Sequence, residues 1–469
     1  MTADYTSAQL AALAGDDQRI TQALEDRRVL FGGMWVGILL LAGVMIAFAT
    51  ASPFGAYSFS ARVSFVYLPV ATGAVLLLGH TRFAMAAALY FGFLPLSQAL
   101  SETWLLLGNE EGAISAEMAF ALPLILHGML GKPGAVVARG AALPSSLTWG
   151  VALIVASALL ATLLAVDPAH SAYALLGRFL IPIAVMLAVY RRMEGIADFK
   201  VMWFGFAVSL LAVAAFGYRR AVLGIDTYNI GQRFLGLGAS AALVSLFMIG
   251  GALWLAYAQS EAGRILRAIF WFVVVAIFIT LMWLSASRGP VAAAALIVAW
   301  WAPKRALRTI LRPKVLLFFS LGAVAVVYAV RYSLAQTELS LEFLVERFSR
   351  LLEHGLTGES RWTIWMEALG HWAGSPLWGL GPNSWLKVNP IFASIHGSFA
   401  GLLFDVGLFG LFAWALFLGS TLLHGRAKLV GHLPMRDQQF FFGCRAGWTV
   451  YLMLMMVELP FTSGQPKNN

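Results

Sequence analysis

Apolar residues run through this chain in blocks long enough to cross a bilayer, separated mostly by short polar connections. A spanning helix needs ~20 mostly apolar residues. Such runs lie near 29–50, 63–79, 83–100, 114–131, 147–166, 172–190 and 200–217. Others follow near 234–258, 268–286, 289–302, 315–332, 396–423 and 439–461. Because a short run can re-enter instead of crossing, the pattern predicts about 12–14 transmembrane helices. One connection, 333–395, is far longer than the others. Over 339–356, Leu341, Leu344, Val345, Phe348, Leu351 and Leu352 recur at helical spacing, with Glu342, Glu346, Arg347 and Arg350 between them. That spacing predicts an amphipathic helix lying on the membrane. A second helix is predicted over Ser360–Trp372, stopped by Gly374-Ser375-Pro376. Gly379, Gly381, Pro382, Asn383 and Pro390 mark the remainder as irregular loop. The chain thus divides into a polar segment (1–28), a helical bundle (29–332), the loop (333–395), C-terminal helices (396–461) and a tail (462–469).

Composition agrees. Hydrophobic residues make up 60% of the 469 and charged residues 12%, with mean hydropathy +0.79. A soluble domain carries roughly 45–50% and about 25% respectively. One water-soluble core cannot hide that excess, so the fold class is an all-α polytopic membrane protein. The only cysteine, Cys444, lies in an apolar run, which excludes an intramolecular disulfide and a zinc ribbon. The first 28 residues are polar, and the run at 29–50 exceeds a signal-peptide core, so it reads as the first anchored span despite the cleavage-like triplet Ala49-Thr50-Ala51.

The net charge of +9 follows from basic cytoplasmic loops and implies no nucleic-acid partner. With the N-terminus inside, Lys and Arg concentrate in the inner connections: Arg27-Arg28, Lys132, Arg139, Arg191-Arg192, Lys200 and the cluster at 304–314. The loop 333–395 then lies outside.

Four basic residues fall on that outer side at or near span ends: Arg233, Arg288, Arg361 and His396. The stretch Ser285-Ala286-Ser287-Arg288-Gly289-Pro290 interrupts an apolar run. Small residues with Gly-Pro let the chain break there, freeing backbone N–H groups toward an anion, while the guanidinium fork suits phosphate. The plain alternative is an arginine snorkelling to the interface. Arg361 stands in Gly358-Glu359-Ser360-Arg361-Trp362, where pairing with Glu359 or Glu353 is the alternative, and Arg233 lies among Gly231 and Gly236. His396 opens a span and is a candidate general base, or a hydrogen-bonded helix cap. Three arginines on the same face as an imidazole describe a site for an anionic leaving group beside a base.

Asp405 lies about nine residues into the last-but-one span, roughly 13 Å deep. A carboxylate at that depth needs a partner, and Arg178, also within a span and near its outer end, is the candidate. No Asp-x-Asp, Walker A or His-Glu-x-x-His motif occurs. A metal-independent reaction on a lipid-linked anion, with no cofactor, fits most simply.

These residues resemble the bacterial O-antigen ligase and polysaccharide polymerase family of integral membrane glycosyltransferases. Ser287-Arg288-Gly289 joins two spans. His396 is followed by Gly407 and Gly410 at the family's spacing. Between them, Arg361, Trp365 and Pro376-Leu377-Trp378-Gly379-Leu380-Gly381 resemble the family's Arg and Pro-x-x-Gly-x-Gly pattern, and Arg233 with Gly236 resembles its earlier arginine motif. The resemblance covers roughly 230–420. Gly397 stands where the family usually has Asn, Ser or Gln, with Ser398 beside it as the polar group. Gly238-Ala239-Ser240 stands where a Pro-Asn pair often follows.

The resemblance implies a GT-C-like fold of about a dozen helices under a periplasmic helical loop, in the bacterial inner membrane. The donor would be a glycan on undecaprenyl diphosphate, the acceptor a glycan or lipid A-core. Arg233, Arg288 and Arg361 would hold the diphosphate and His396 would activate the acceptor hydroxyl; Ser287, Ser398 and Asp405 are candidate supporting residues beside them, the Asp405–Arg178 pair reading as structural rather than catalytic. The implied reaction is inverting and metal-independent. A polymerase is taken narrowly ahead of a ligase. The rivals from other classes are a lipid-linked glycan flippase or other transporter, and a structural assembly protein. Oligomeric state is not legible.

Overall fold

The computed structural model describes residues 82–99, 105–107, 114–138, 143–206, 360–389 and 398–424, with 321, 328, 395, 434, 437–438, 440–441 and 445. Its main helices are α1 (Phe83–Ala99), α2 (Ala116–Leu130), α3 (Ser145–Leu163), α4 (Pro168–Leu175), α5 (Ile181–Arg192), α6 (Ser360–Trp372) and α7 (Ser398–His424). A π-helical turn, Leu176–Leu180, joins α4 to α5. Further helix covers 196–206, and short pieces lie at Ala135–Ala138 and Trp385–Val388. The described strands are one short antiparallel pair, Leu105–Leu107 with Ile114–Ser115, which the hydropathy pattern does not announce.

Among the described residues three stretches are long and apolar enough to cross a membrane: Ser145–Leu163, Pro168–Arg192 and Phe399–Leu423. They fall on the runs predicted at 147–166, 172–190 and 396–423, and the protein is an α-helical membrane protein to that extent. The second begins earlier than predicted. Asp167 caps its N-terminus by accepting from the His170 backbone N–H at 3.1 Å, and Pro168 occupies the first turn. Both are favoured there because an acceptor satisfies a free N–H and proline has none to leave unpaired. The spans predicted at 29–50, 63–79, 234–258, 268–286 and 289–302, and the amphipathic stretch 339–356, lie outside the described residues.

Among the described residues the most extensive helix pairing is α3 on α7. It depends on small residues. A Cβ on Gly150 would sit 3.0 Å from the Phe417 Cα, and one on Gly410 would sit 3.2 Å from Ser157 Oγ. Ala158 and Ala161 of α3 meet Val406 and Ala413 of α7, with Leu175 and Phe179 closing the cluster. Near one end Ser146 and Ser420 share a hydrogen bond at 2.7 Å. In a bilayer apolar burial gives helices no reason to associate, so close backbone approach and interhelical hydrogen bonds, at about 0.6 kcal/mol each, carry the pairing. Other hydroxyls of α3 are met locally: Thr148 donates to Pro144 O at the cap, Ser157 to Ile154 O and Thr162 to Ala158 O.

A second layer packs α2 on α5, where a Cβ on Gly128 would overlap the Ala188 side chain. Basic residues gather where this layer ends. Arg192 donates to Lys132 O and lies over the Phe83 ring, and Lys200 pairs with Asp437 at 2.9 Å. Lys132 and Arg192, assigned to one side from sequence, thus meet at the end of this layer.

Candidate functional site

Helix α7 is not continuous. At Gly407 the backbone turns to φ 66 and ψ −168, which splits the run predicted at 396–423 into two helical parts. A break at this depth leaves peptide groups that lipid cannot satisfy. The loop that precedes α7 satisfies them. Leu380 N donates to Phe404 O at 2.8 Å and Gly381 N to Asp405 O at 3.0 Å. Beyond the break, Leu408 N donates to Pro376 O at 3.0 Å and Phe409 N to Leu377 O at 3.2 Å. The stretch 376–381 thus fills the gap in the helix with four backbone hydrogen bonds.

Glycine is required on both sides of this joint. Gly379 and Gly407 both have positive φ, 76 and 66. A Cβ on Gly379 would lie 2.6 Å from the Asp405 carbonyl carbon, and one on Gly407 would strike the Leu377 carbonyl. Gly381, at φ 100, faces Ala165 at the end of α3 and Ser171 of α4.

A polar chain ties the joint to α4 and the π-turn. The π-turn is closed by Ile181 N donating to Leu176 O, and its wider winding carries Arg178. Arg178 Nη2 donates to Asn383 Oδ1 at 2.9 Å, while Nη1 lies 4.0 Å from Asp405 Oδ2. Asn383 N donates to the other oxygen of that carboxylate, Oδ1, at 3.2 Å. Asn383 Nδ2 lies 2.7 Å from His170 Nε2. Arginine has only donors, so Asn383 Oδ1 faces Arg178 and Nδ2 donates to the imidazole. Nε2 then accepts, which puts the ring proton on Nδ1, buried and without a hydrogen-bond partner among the described residues.

The chain continues to Asp167, whose Oδ2 is 3.7 Å from Lys387 Nζ. The His170 N–H, and less strongly the charge of Lys387, hold the Asp167 carboxyl below its ordinary 3.8.

Helix α6 packs on the other flank of α7. Ile364, Ala368, Trp385, Ile395 and Phe404 form a buried cluster, in which Trp385 meets Phe404 edge-on at 5.2 Å. Asn389 Nδ2 donates to Glu367 at 2.5 Å, and Trp372 Nε1 donates to Pro376 O at 3.0 Å. These contacts pin α6 to Pro376, where the segment that fills the break begins, and to Asn389 beyond it.

Of the site residues expected from sequence, Arg233, Ser287, Arg288 and His396 lie outside the described residues. Arg361 is the second residue of α6 and Ser398 the first of α7, each described in its backbone alone. Asp405 does face Arg178, the partner expected for it. Asn383, His170 and Asp167 were not expected. The Asp-Pro pair at 167–168 is a readable helix start, whereas Asn383 stood among turn residues with nothing to mark its side chain. Among the described residues no group of His, Cys, Asp and Glu is arranged to hold a metal ion.

Compared with known proteins, the chain matches no family model. No curated protein matches its sequence significantly.

Proposed function

We propose that the protein is an integral membrane glycosyltransferase. It moves a glycan from an undecaprenyl-diphosphate carrier onto a sugar hydroxyl at the periplasmic face of the bacterial inner membrane. The observation that carries this reading is the joint itself. The Pro376–Gly381 stretch, one part of the motif on which the family resemblance rests, bonds through its backbone to the residues on either side of Gly407, another part of that motif. A second observation supports it: Ile364, three residues after Arg361, packs in one cluster with Ile395, the residue before His396.

In this reading the acceptor hydroxyl attacks the anomeric carbon, the bond to the diphosphate oxygen breaks, and the sugar inverts. His396 takes the hydroxyl proton. Arg233, Arg288 and Arg361 meet the charge that builds on the departing diphosphate, where fixed cations stabilise the transition state more than the bound donor. A low-dielectric interface strengthens that effect relative to water. Phosphate is already a competent leaving group, so the reaction proceeds without a metal or cofactor. A polymerase, joining donor glycans to one another, is placed slightly ahead of a ligase using lipid A-core.

The test is purified protein in lipid with undecaprenyl-diphosphate glycan and excess EDTA, with lipid A-core or with donor alone. A new bond to lipid A-core identifies a ligase, and a ladder from donor alone a polymerase. If no bond forms with several donors while lipid-linked glycan crosses the bilayer, a flippase replaces the enzyme.

A further inference from the structure

We infer that Asn383 is a positioning residue for the transfer site, the hub through which Arg178, Asp405 and His170 hold the loop in the break of α7. This role rests on the glycosyltransferase reading above.

Three features single Asn383 out. Its backbone is held at φ 63, a left-handed conformation that costs most side chains energy and is tolerated by asparagine. Its three polar groups reach three different partners: N–H to Asp405, Oδ1 to Arg178, and Nδ2 to His170. Those partners come from α7, the π-turn and α4, so one residue joins the loop to two separate apolar stretches.

The chemistry of the hub is specific. The side-chain amide carries an acceptor and a donor on separate arms of one planar group, so it takes a bond from Arg178 while giving one to Nε2 of His170. Aspartate offers no donor when ionised, and leucine offers neither. In a weakly polar surround such a chain of bonds is directional and mutually reinforcing. Arg178 alone would not place the loop, because its 4.0 Å approach to Asp405 is loose. Asn383 converts that loose pair into a closed triangle of guanidinium, amide and carboxylate.

The consequence is positional. The joint at 376–381 sits between α6, which carries Arg361, and α7, which follows His396. A slip of the loop by about 1 Å would move the two flanks relative to each other, and misplacement on that scale costs on the order of a hundredfold in rate.

The discriminating variant is Asn383→Gly. Glycine keeps the positive φ without strain and removes the side-chain bonds alone. Two readouts are taken on the full chain in lipid: amide hydrogen exchange of peptides covering 376–384 and 405–409, and steady-state glycan transfer. The expected result is exchange faster by about tenfold or more at the Leu380, Gly381, Leu408 and Phe409 amides. With it, kcat falls on the order of tenfold or more while donor KM moves less than about threefold. Asn383→Gln, which restores the amide on a longer arm, should recover part of the exchange protection and part of kcat.

Unchanged exchange overturns the hub. Faster exchange with wild-type kcat overturns the positioning role and leaves a structural tie. If wild-type protein transfers no glycan from any donor, the glycosyltransferase reading fails and takes the positioning role with it. A wild type that is active beside an equally active Asn383→Gly removes the positioning role alone.

Discussion

Arg178 approaches Asp405 at 4.0 Å, yet its shorter bond, 2.9 Å, goes to Asn383, which itself donates to the same carboxylate. The ion pair is therefore held by a third residue from the loop. Arg178→Ala would leave Asp405 within an apolar stretch without its cation. Removing one member of this half-buried pair leaves the other in a weakly polar surround without its counter-charge, which costs stability. The expected result is a clearly lowered unfolding temperature in lipid. Adding Asp405→Asn to the same chain should restore much of it. If the double variant is no more stable than Arg178→Ala, the pair does not exist as a unit.

Arg178→Lys should recover only part of the loss. A single ammonium on a flexible stem cannot reach Asn383 and Asp405 in the fixed geometry of a fork. Wild-type stability of the lysine variant, measured by the same melt, would reduce Arg178 to a point charge.

Gly407→Ala should destabilise the protein by about 2 kcal/mol, since alanine at φ 66 is strained and its Cβ strikes the Leu377 carbonyl. Gly419→Ala is the control. It lies in the same helix, with nothing within 4 Å of the added Cβ. Helix propensity there favours alanine by roughly 0.5–1 kcal/mol. Equal effects of the two substitutions on the melting temperature would mean the break at Gly407 does not form.

Asp167 carries a pH dependence of known sign. Its folded value lies below 3.8, so its stabilisation is present at neutral pH and is lost as pH falls below 3.8 through the folded value. Asp167→Asn keeps a good helix cap but loses the charge facing Lys387. The gap in melting temperature between wild type and Asp167→Asn should close as the pH is lowered through that window. Asp167→Ala, which loses the cap as well, should melt below both at neutral pH. A gap that persists in acid would assign the role to packing.

For the chemistry, His396→Ala and Arg288→Ala should each abolish glycan transfer while the protein still inserts and folds. Arg361→Lys should restore little beyond Arg361→Ala, because the bidentate fork is lost. The measure is product formed in lipid against the amount of inserted protein. Wild-type rates from inserted His396→Ala would remove its role as base.

Much of this was legible in the order of residues. Apolar runs of spanning length are local properties, so α3, Pro168–Arg192 and α7 appear where hydropathy puts them. The helix Ser360–Trp372 likewise follows from local spacing and from Gly374-Ser375-Pro376 behind it. The Arg178–Asp405 pairing was readable for a stronger reason: a carboxylate deep in an apolar run is costly alone, and few cations are available to it.

The break in α7 was not readable, because hydropathy is the same for a straight helix and a kinked one. Gly407 is compatible with both. What decides between them is the loop segment 376–381, which supplies the donors and acceptors that a broken helix needs. Asn383 is the sharper case. In sequence it is one polar residue among glycines and prolines. Its role arises because folding brings Arg178, His170 and Asp405 to its three polar groups at once. Hydrophobic periodicity fixes which segments leave water, since each residue's transfer energy is largely its own. Which polar atoms then meet inside depends on pairwise distances between distant segments, and only the packed chain sets those.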